Sequence, residues 1–257
     1  MTTLTTTITA KPKQSIFSWI SRHWFATFLI LYGIWVWLPF LAPVFMNLGW
    51  TAAGKAIYLI YSFFCHQLPE RSLFFFGEKT MYTLGEIQAA WQDTINPMIL
   101  RQFVGNENLG WKVAWSDRMI SFYGGVWWLA ALWFPFRRKV KVLAWWGLVL
   151  LLLPMAADGL SHTVSDLAGI GQGFRDTNLW LAALTNNSLP ATFYAGDGLG
   201  SFNSIMRLIT GSLAALGIIW LVFPYIFQTQ VLNQELDRSA YDKVIEQIKS
   251  QNTRSAG

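Results

Sequence analysis

Between Trp24 and Met46 the chain runs for twenty-three residues without a charged side chain. As a helix rising ~1.5 Å per residue, that run is long enough to cross a hydrocarbon core of ~30 Å. Inside hydrocarbon each backbone N–H and C=O must find its partner within the segment, so a single run of this kind can only be a helix. Pro39 and Pro43 predict a kink or an early end near its far side. The run begins late, is longer than a signal-peptide core and carries no Ala-x-Ala site, so an uncleaved anchor is expected.

Three further runs repeat the pattern: Met119 to Phe136, Val142 to Ala157 and Leu208 to Phe227. Residues 51–64 are also apolar, but they are short and contain Lys55, which favours a buried, re-entrant or interfacial helix over a span. The expected fold class is therefore all-α, a polytopic membrane protein with about four transmembrane helices plus interfacial or re-entrant helices. Charged residues make up 13% of the chain, against about 25% in a soluble domain. The expected divisions are a cytoplasmic N-terminal segment 1–23, a membrane domain 24–228 with outer loops 47–118 and 158–206, and a tail 229–257. The first stretch, Thr-rich, is expected to be disordered. The loop 77–115 should hold a helical piece around Tyr82–Ala90. The Gly-rich loop from 158 should hold a short helix near Leu179–Leu184. In the tail, Leu232, Leu236, Tyr241, Val244, Ile245 and Ile248 recur at helical spacing between charges, the pattern of an amphipathic helix on a membrane surface or packed on the spans.

Orientation follows from the basic residues. Arg137-Arg138-Lys139-Val140-Lys141 concentrates four cations in five residues between two spans, which marks a cytoplasmic hairpin tip. Alternation then places both termini in the cytoplasm, and Lys11, Lys13, Arg22, Arg238, Lys243, Lys249 and Arg254 agree. The expected location is the cytoplasmic (plasma) membrane, multi-pass, with the lipid bilayer as the first partner and subunits of a larger membrane complex as further ones. The net charge of +5 is accounted for by these cytoplasmic segments and gives no reason to invoke nucleic acid.

The densest polar stretch beside an apolar run is Cys65-His66-Gln67-Leu68-Pro69-Glu70-Arg71-Ser72. With the topology above, it lies on the outer side. So do Asp117 and Arg118 at the mouth of span two, Asp158 and His162 after span three, and Asn203 and Arg207 before span four. Residues from four distant places thus meet at one membrane depth. Charge inside a bilayer costs ~2.5–3.5 kcal/mol on insertion scales, so Arg118, Asp158 and Arg207 should turn inward and pair. Asp158 with Arg118 or with Arg207 is the expected pairing.

His66, Arg71, Arg118, Asp158, His162 and Arg207 form the candidate ligand-binding set, because guanidinium forks match phosphate and carboxylate. His66, His162 and Cys65 form a candidate metal set, since imidazole and thiolate suit zinc or copper. That makes a metal ion the candidate cofactor. A His66 or His162 base with Cys65 as nucleophile is the catalytic alternative, so an enzymatic role, a membrane-embedded hydrolase or transferase, stays open. Cys65 is the single cysteine, which excludes an intramolecular disulfide and any CxxC motif.

The stretch CHQLPERS resembles the Cys-His-Gln-x-x-x-Arg-Ser motif of a prokaryotic membrane-protein family catalogued as domain of unknown function 2085. Three further pieces resemble that family in order: SDRMISFYGG at 116–125, PMAADGLSH at 154–162 and NSIMRLITG at 203–211. The resemblance covers about residues 58–225 and implies a membrane fold with its polar site at these motifs. Where the family has two cysteines flanking Ala-Arg, this chain has Ser116 and Met119, and His162 replaces a Gln. The resemblance therefore implies a divergent member in which any thiolate cluster is broken.

Overall fold

The structure, a computed structural model, describes residues 16–255, so the Thr-rich start, Lys11 and Lys13 lie outside the described residues. The protein is α-helical and polytopic. Four helices are long and apolar enough to cross a membrane: Trp24–Asn47, Asp117–Phe136, Trp145–Asp166 and Phe202–Gln251, called spans one to four. Span one tightens into a 3₁₀ turn at Leu38–Phe40, where Pro39 removes a backbone donor. Residues 51–64 give a helix of eleven residues, Thr51–Tyr61, too short to cross.

Spans one, two and four share a core of Phe25, Val126, Ala130, Trp133, Ala215, Ile219 and Phe223. Spans two and four approach closely because Gly211 lacks a side chain: a Cβ there would meet Ser121 Oγ at 2.2 Å. Ser121 Oγ instead donates to the carbonyls of Arg118 and Arg207, at 2.9 and 3.2 Å. Just beyond Arg118, Ile120–Gly124 forms one π-helical turn, a feature frequent at functional sites.

The region between spans one and two departs from the expectation of helix and irregular loop. Residues 77–115 do contain the expected helix, Leu84–Ala90, started by a Thr83–Glu86 capping box. They also contribute two strands of a three-stranded antiparallel sheet: β1 (Ser72–Phe75), β2 (Gly105–Asn106) and β3 (Gly110–Ser116), in the order β1-β3-β2. The strand β3 is buried on both faces over 112–115, so it lacks the alternation that marks a half-exposed strand. The sheet rests on span one and the Thr51–Tyr61 helix. Trp115 Nε1 donates to Val36 O at 3.1 Å, Tyr61 OH to Trp35 O at 2.6 Å and Tyr58 OH to Lys112 O at 2.5 Å.

Two boundaries also differ. Span three does not stop at Ala157; it continues through Asp158-Gly159 to Asp166. An aspartate ends a helix by competing for backbone donors, and Asp158 cannot compete, because both of its oxygens are taken by arginines. The fourth span does not end at Phe227 either. Its helix runs unbroken from Phe202 to Ser255, 54 residues or about 80 Å, far more than the ~30 Å core. Segment 229–251 is a continuation of span four, exposed on nearly all sides, and not a separate helix packed on the spans. The expected helix near Leu179–Leu184 lies at those residues.

Candidate functional site

Span three carries Asp158, His162 and Asp166 at intervals of four, so they lie on one face. Beside that face lie the first turn of span two, with Asp117 and Arg118, and the first turns of span four, with Asn203 and Arg207. The Pro69–Arg71 turn leads Arg71 in from the sheet side, and the short helix Phe174–Thr177 brings Arg175. Asp197 comes from the bend before span four. Topology therefore gathers charged residues from six segments.

They pair into one network. Arg118 Nη2 donates to Asp158 Oδ2 at 2.7 Å, and Arg175 Nη2 donates to Asp158 Oδ1 at 2.7 Å. Arg71 places Nη1 and Nη2 on the two oxygens of Asp166, both at 2.7 Å, and Nε on Asp197 Oδ2 at 2.8 Å. Arg207 gives Nε to Asp117 Oδ1 at 2.8 Å, Nη1 to Asp197 Oδ1 at 2.5 Å and Nη2 to the Asp197 carbonyl at 2.8 Å. Four arginines thus face four aspartates. The expected Asp158–Arg118 pair is present. Arg207 pairs with Asp117 and Asp197, which sit nearer its own helix start.

Satisfaction is uneven. Arg71 and Arg207 each engage all three guanidinium nitrogens with aspartates, so their forks are held in the fold's own network. Arg118 uses Nη2 alone, and its buried Nε has no acceptor among the described residues. Gly159 makes room for it, since a Cβ there would stand 3.3 Å from Arg118 Nη1. His162 is buried, receives Arg175 Nη2 at 3.1 Å on Nε2, and leaves Nδ1 without a partner among the described residues.

A cavity of about 420 Å³ opens over this network. Its lining includes Cys65, His66, Arg71, Arg118, His162 and Arg207 from the candidate sets, together with Arg101, Ser116, Met119 and Asp166. Asp158 does not line it but lies beneath, holding Arg118. His66 is exposed at the rim. Arg101 stands outside the arginine–aspartate network, with Nη2 on Ser62 O at 3.1 Å. Arg101, Arg175, Asp166 and Asp197 were missed from sequence because nothing local sets them apart. A signal existed in the helical spacing of Asp158, His162 and Asp166, once the helix is known to continue past Gly159.

The Cys-His-Gln stretch is shaped by Gln67. Its backbone is left-handed, at φ 54°, which is uncommon for a residue other than glycine. Three bonds hold it there. Its backbone N–H donates to Cys65 Sγ at 3.3 Å, its side-chain Nε2 to Tyr58 O at 2.9 Å, and its carbonyl accepts from Lys112 Nζ at 2.6 Å. Lys112 is wholly buried and gives a second hydrogen bond to Arg101 O at 2.8 Å. Burial pushes its ammonium down to about 7. Glu70, also buried, has no hydrogen-bond partner on either oxygen among the described residues, only Arg71 Nε at 3.8 Å from Oε1; burial pushes it up to about 7, with Arg71 opposing. Asp197, by contrast, is held well below the usual carboxylate range: burial alone would raise it, but Arg71 and Arg207 outweigh that.

The candidate metal set is not assembled as one. Cys65, His66 and His162 line the same cavity, yet among the described residues no three His, Cys, Asp or Glu side chains are grouped so as to hold a metal ion. Cys65 lies with Sγ 3.6 Å from Ser116 Oγ, the position at which the resembled family carries cysteine.

Comparison with known proteins adds one relative. The chain is 25% identical over 215 residues to the uncharacterized protein MJ1492 of Methanocaldococcus jannaschii, a match covering 80% of this chain and 95% of the relative. No protein-family description matches the chain, and no solved structure does.

Proposed function

We propose that this protein binds a small anionic ligand in the cavity above the arginine–aspartate network, on the outer side of the cytoplasmic membrane, with both termini in the cytoplasm. One observation carries the reading. The cavity wall carries Arg101, a cation with no carboxylate partner among the described residues, together with Arg118, whose fork is half used. Guanidinium donors aimed into a partly desolvated pocket favour phosphate or carboxylate. The orientation rests on the basic hairpin 137–141, at the opposite end of spans two and three from the site. The four motifs support a further proposal, that the chain is a divergent member of the family called domain of unknown function 2085.

Titration calorimetry of the detergent-purified protein with inorganic phosphate tests the reading. Binding should weaken about tenfold in Arg101→Gln, a loss of roughly one charge-assisted hydrogen bond. Equal affinity in both proteins, or no heat in either, would overturn it.

A second reading has its own observation. The long helix carries Leu232, Leu236, Val244 and Ile248 exposed beyond the membrane domain, which is what a subunit of a larger membrane complex would offer to a partner. Purification in mild detergent distinguishes the two, since the subunit reading requires a stoichiometric companion.

A further inference from the structure

The cavity lining joins two chemistries. Beside Arg118 and Arg101 it includes Leu160 of span three and Leu167 just past that span's end, 68% and 84% exposed, and Met98 of the short helix Pro97–Leu100, 60% exposed. Exposed leucines on a membrane span face hydrocarbon. The cavity is therefore bordered by the lipid-facing surface of span three. A site for a freely soluble anion would need no such border, because its ligand arrives through water.

The donors narrow the class of anion. Two guanidinium groups of the wall, Arg101 and Arg118, keep nitrogens that give no hydrogen bond among the described residues. A phosphodiester carries one negative charge and has two free oxygens to face two guanidinium groups. In a bilayer, phosphodiesters belong to the headgroups of phospholipids, whose chains require an apolar exit.

We propose that the cavity takes the phosphodiester headgroup of an anionic membrane lipid. The lipid enters sideways between span three and the Pro97–Leu100 helix, sets its phosphate against Arg101 and Arg118, and lays its acyl chains along Leu160 and Leu167. This rests on the anion-site reading above and names its ligand class.

The test uses delipidated, detergent-purified full-length protein and three probes at matched concentration: phosphatidylglycerol, inorganic phosphate, and diacylglycerol, which has the chains but no phosphate. Native mass spectrometry counts retained lipid, and calorimetry reads phosphate. Phosphatidylglycerol should bind at least tenfold more tightly than either control. Arg101→Gln should reduce its retention about tenfold, and Leu160→Gln should reduce it while leaving the phosphate affinity unchanged. Equal retention of phosphatidylglycerol and diacylglycerol, or full retention in Arg101→Gln, would mean unspecific annular lipid and would overturn the inference. Inorganic phosphate binding that depends on Arg101 and matches or exceeds phosphatidylglycerol would overturn the lipid inference and leave the anion site standing. Failure of every probe would sink both.

Discussion

Asp158→Asn is the substitution to which the network should be most sensitive. The side chain is 4% exposed and is, among the described residues, the only carboxylate in an ion pair with Arg118 and with Arg175, at 2.7 Å each. An amide can still accept one hydrogen bond but supplies no charge, so two guanidinium groups are left uncompensated where little water reaches. Breaking one buried ion pair costs ~3–5 kcal/mol, mostly from the stranded charge. Two pairs sharing one carboxylate should not cost twice that, because Arg118 borders the cavity and can turn toward it. A loss of ~4 kcal/mol is expected. Asp166→Asn is the internal control. Asp166 is 18% exposed, and its partner Arg71 keeps Asp197, so the change should cost ~1 kcal/mol. The difference, ~3 kcal/mol, is about two orders of magnitude in the folding equilibrium. Equilibrium unfolding by sodium dodecyl sulfate in mixed micelles, followed by tryptophan fluorescence, resolves that gap. Adding Arg175→Met to Asp158→Asn removes one stranded charge and should return at least ~1 kcal/mol. Equal losses in the two single variants, or no recovery in the double variant, would refute the claim that charge balance holds this site.

Three further buried positions carry expected outcomes. Glu70 titrates near 7 in the folded protein against 4.5 when unfolded, so the native state holds more protons between those values and stability should fall as pH rises from about 4.5 to 7; Glu70→Gln should flatten that slope in unfolding curves taken across the window. Lys112 has the opposite sign. Its pKa is lowered from 10.5 to about 7, so wild-type stability should rise between those values. At neutral pH Lys112→Met should cost ~2–4 kcal/mol by leaving the Gln67 and Arg101 carbonyls without a donor, as read by the same unfolding assay. Gly211→Val should separate spans two and four, since even a Cβ would overlap Ser121 Oγ, and should lower the thermal midpoint by several degrees in a detergent-solubilised melt.

The spans were legible in the sequence because hydrocarbon imposes a single rule, a charge-free run of sufficient length, and Trp24–Met46 and Met119–Phe136 obey it. The convergence of His66, Arg71, Arg118, His162 and Arg207 on one cavity was legible too, because topology alone sets them at one depth. What stayed hidden depended on tertiary partners. Asp158-Gly159 reads as a helix stop until Arg118 and Arg175 occupy the aspartate. The strand β3 reads as loop because Lys112 interrupts its apolar run, and only the Gln67 and Arg101 carbonyls make a buried lysine tolerable. Arg71 and Arg207 read as ligand forks; the structure places both on the cavity wall and pairs them with Asp166, Asp197 and Asp117. Arg118, which sequence did indicate, and Arg101, which it did not, line the same cavity with fewer partners.

The central claim is that an anion sits between Arg101 and Arg118. Crystals grown with tungstate, a strongly scattering phosphate analogue, test it most directly. An anomalous peak within hydrogen-bonding reach of both guanidinium groups, lost in Arg101→Gln, is the predicted result. A cavity without that peak at millimolar tungstate, or a peak unchanged in the variant, would contradict the account.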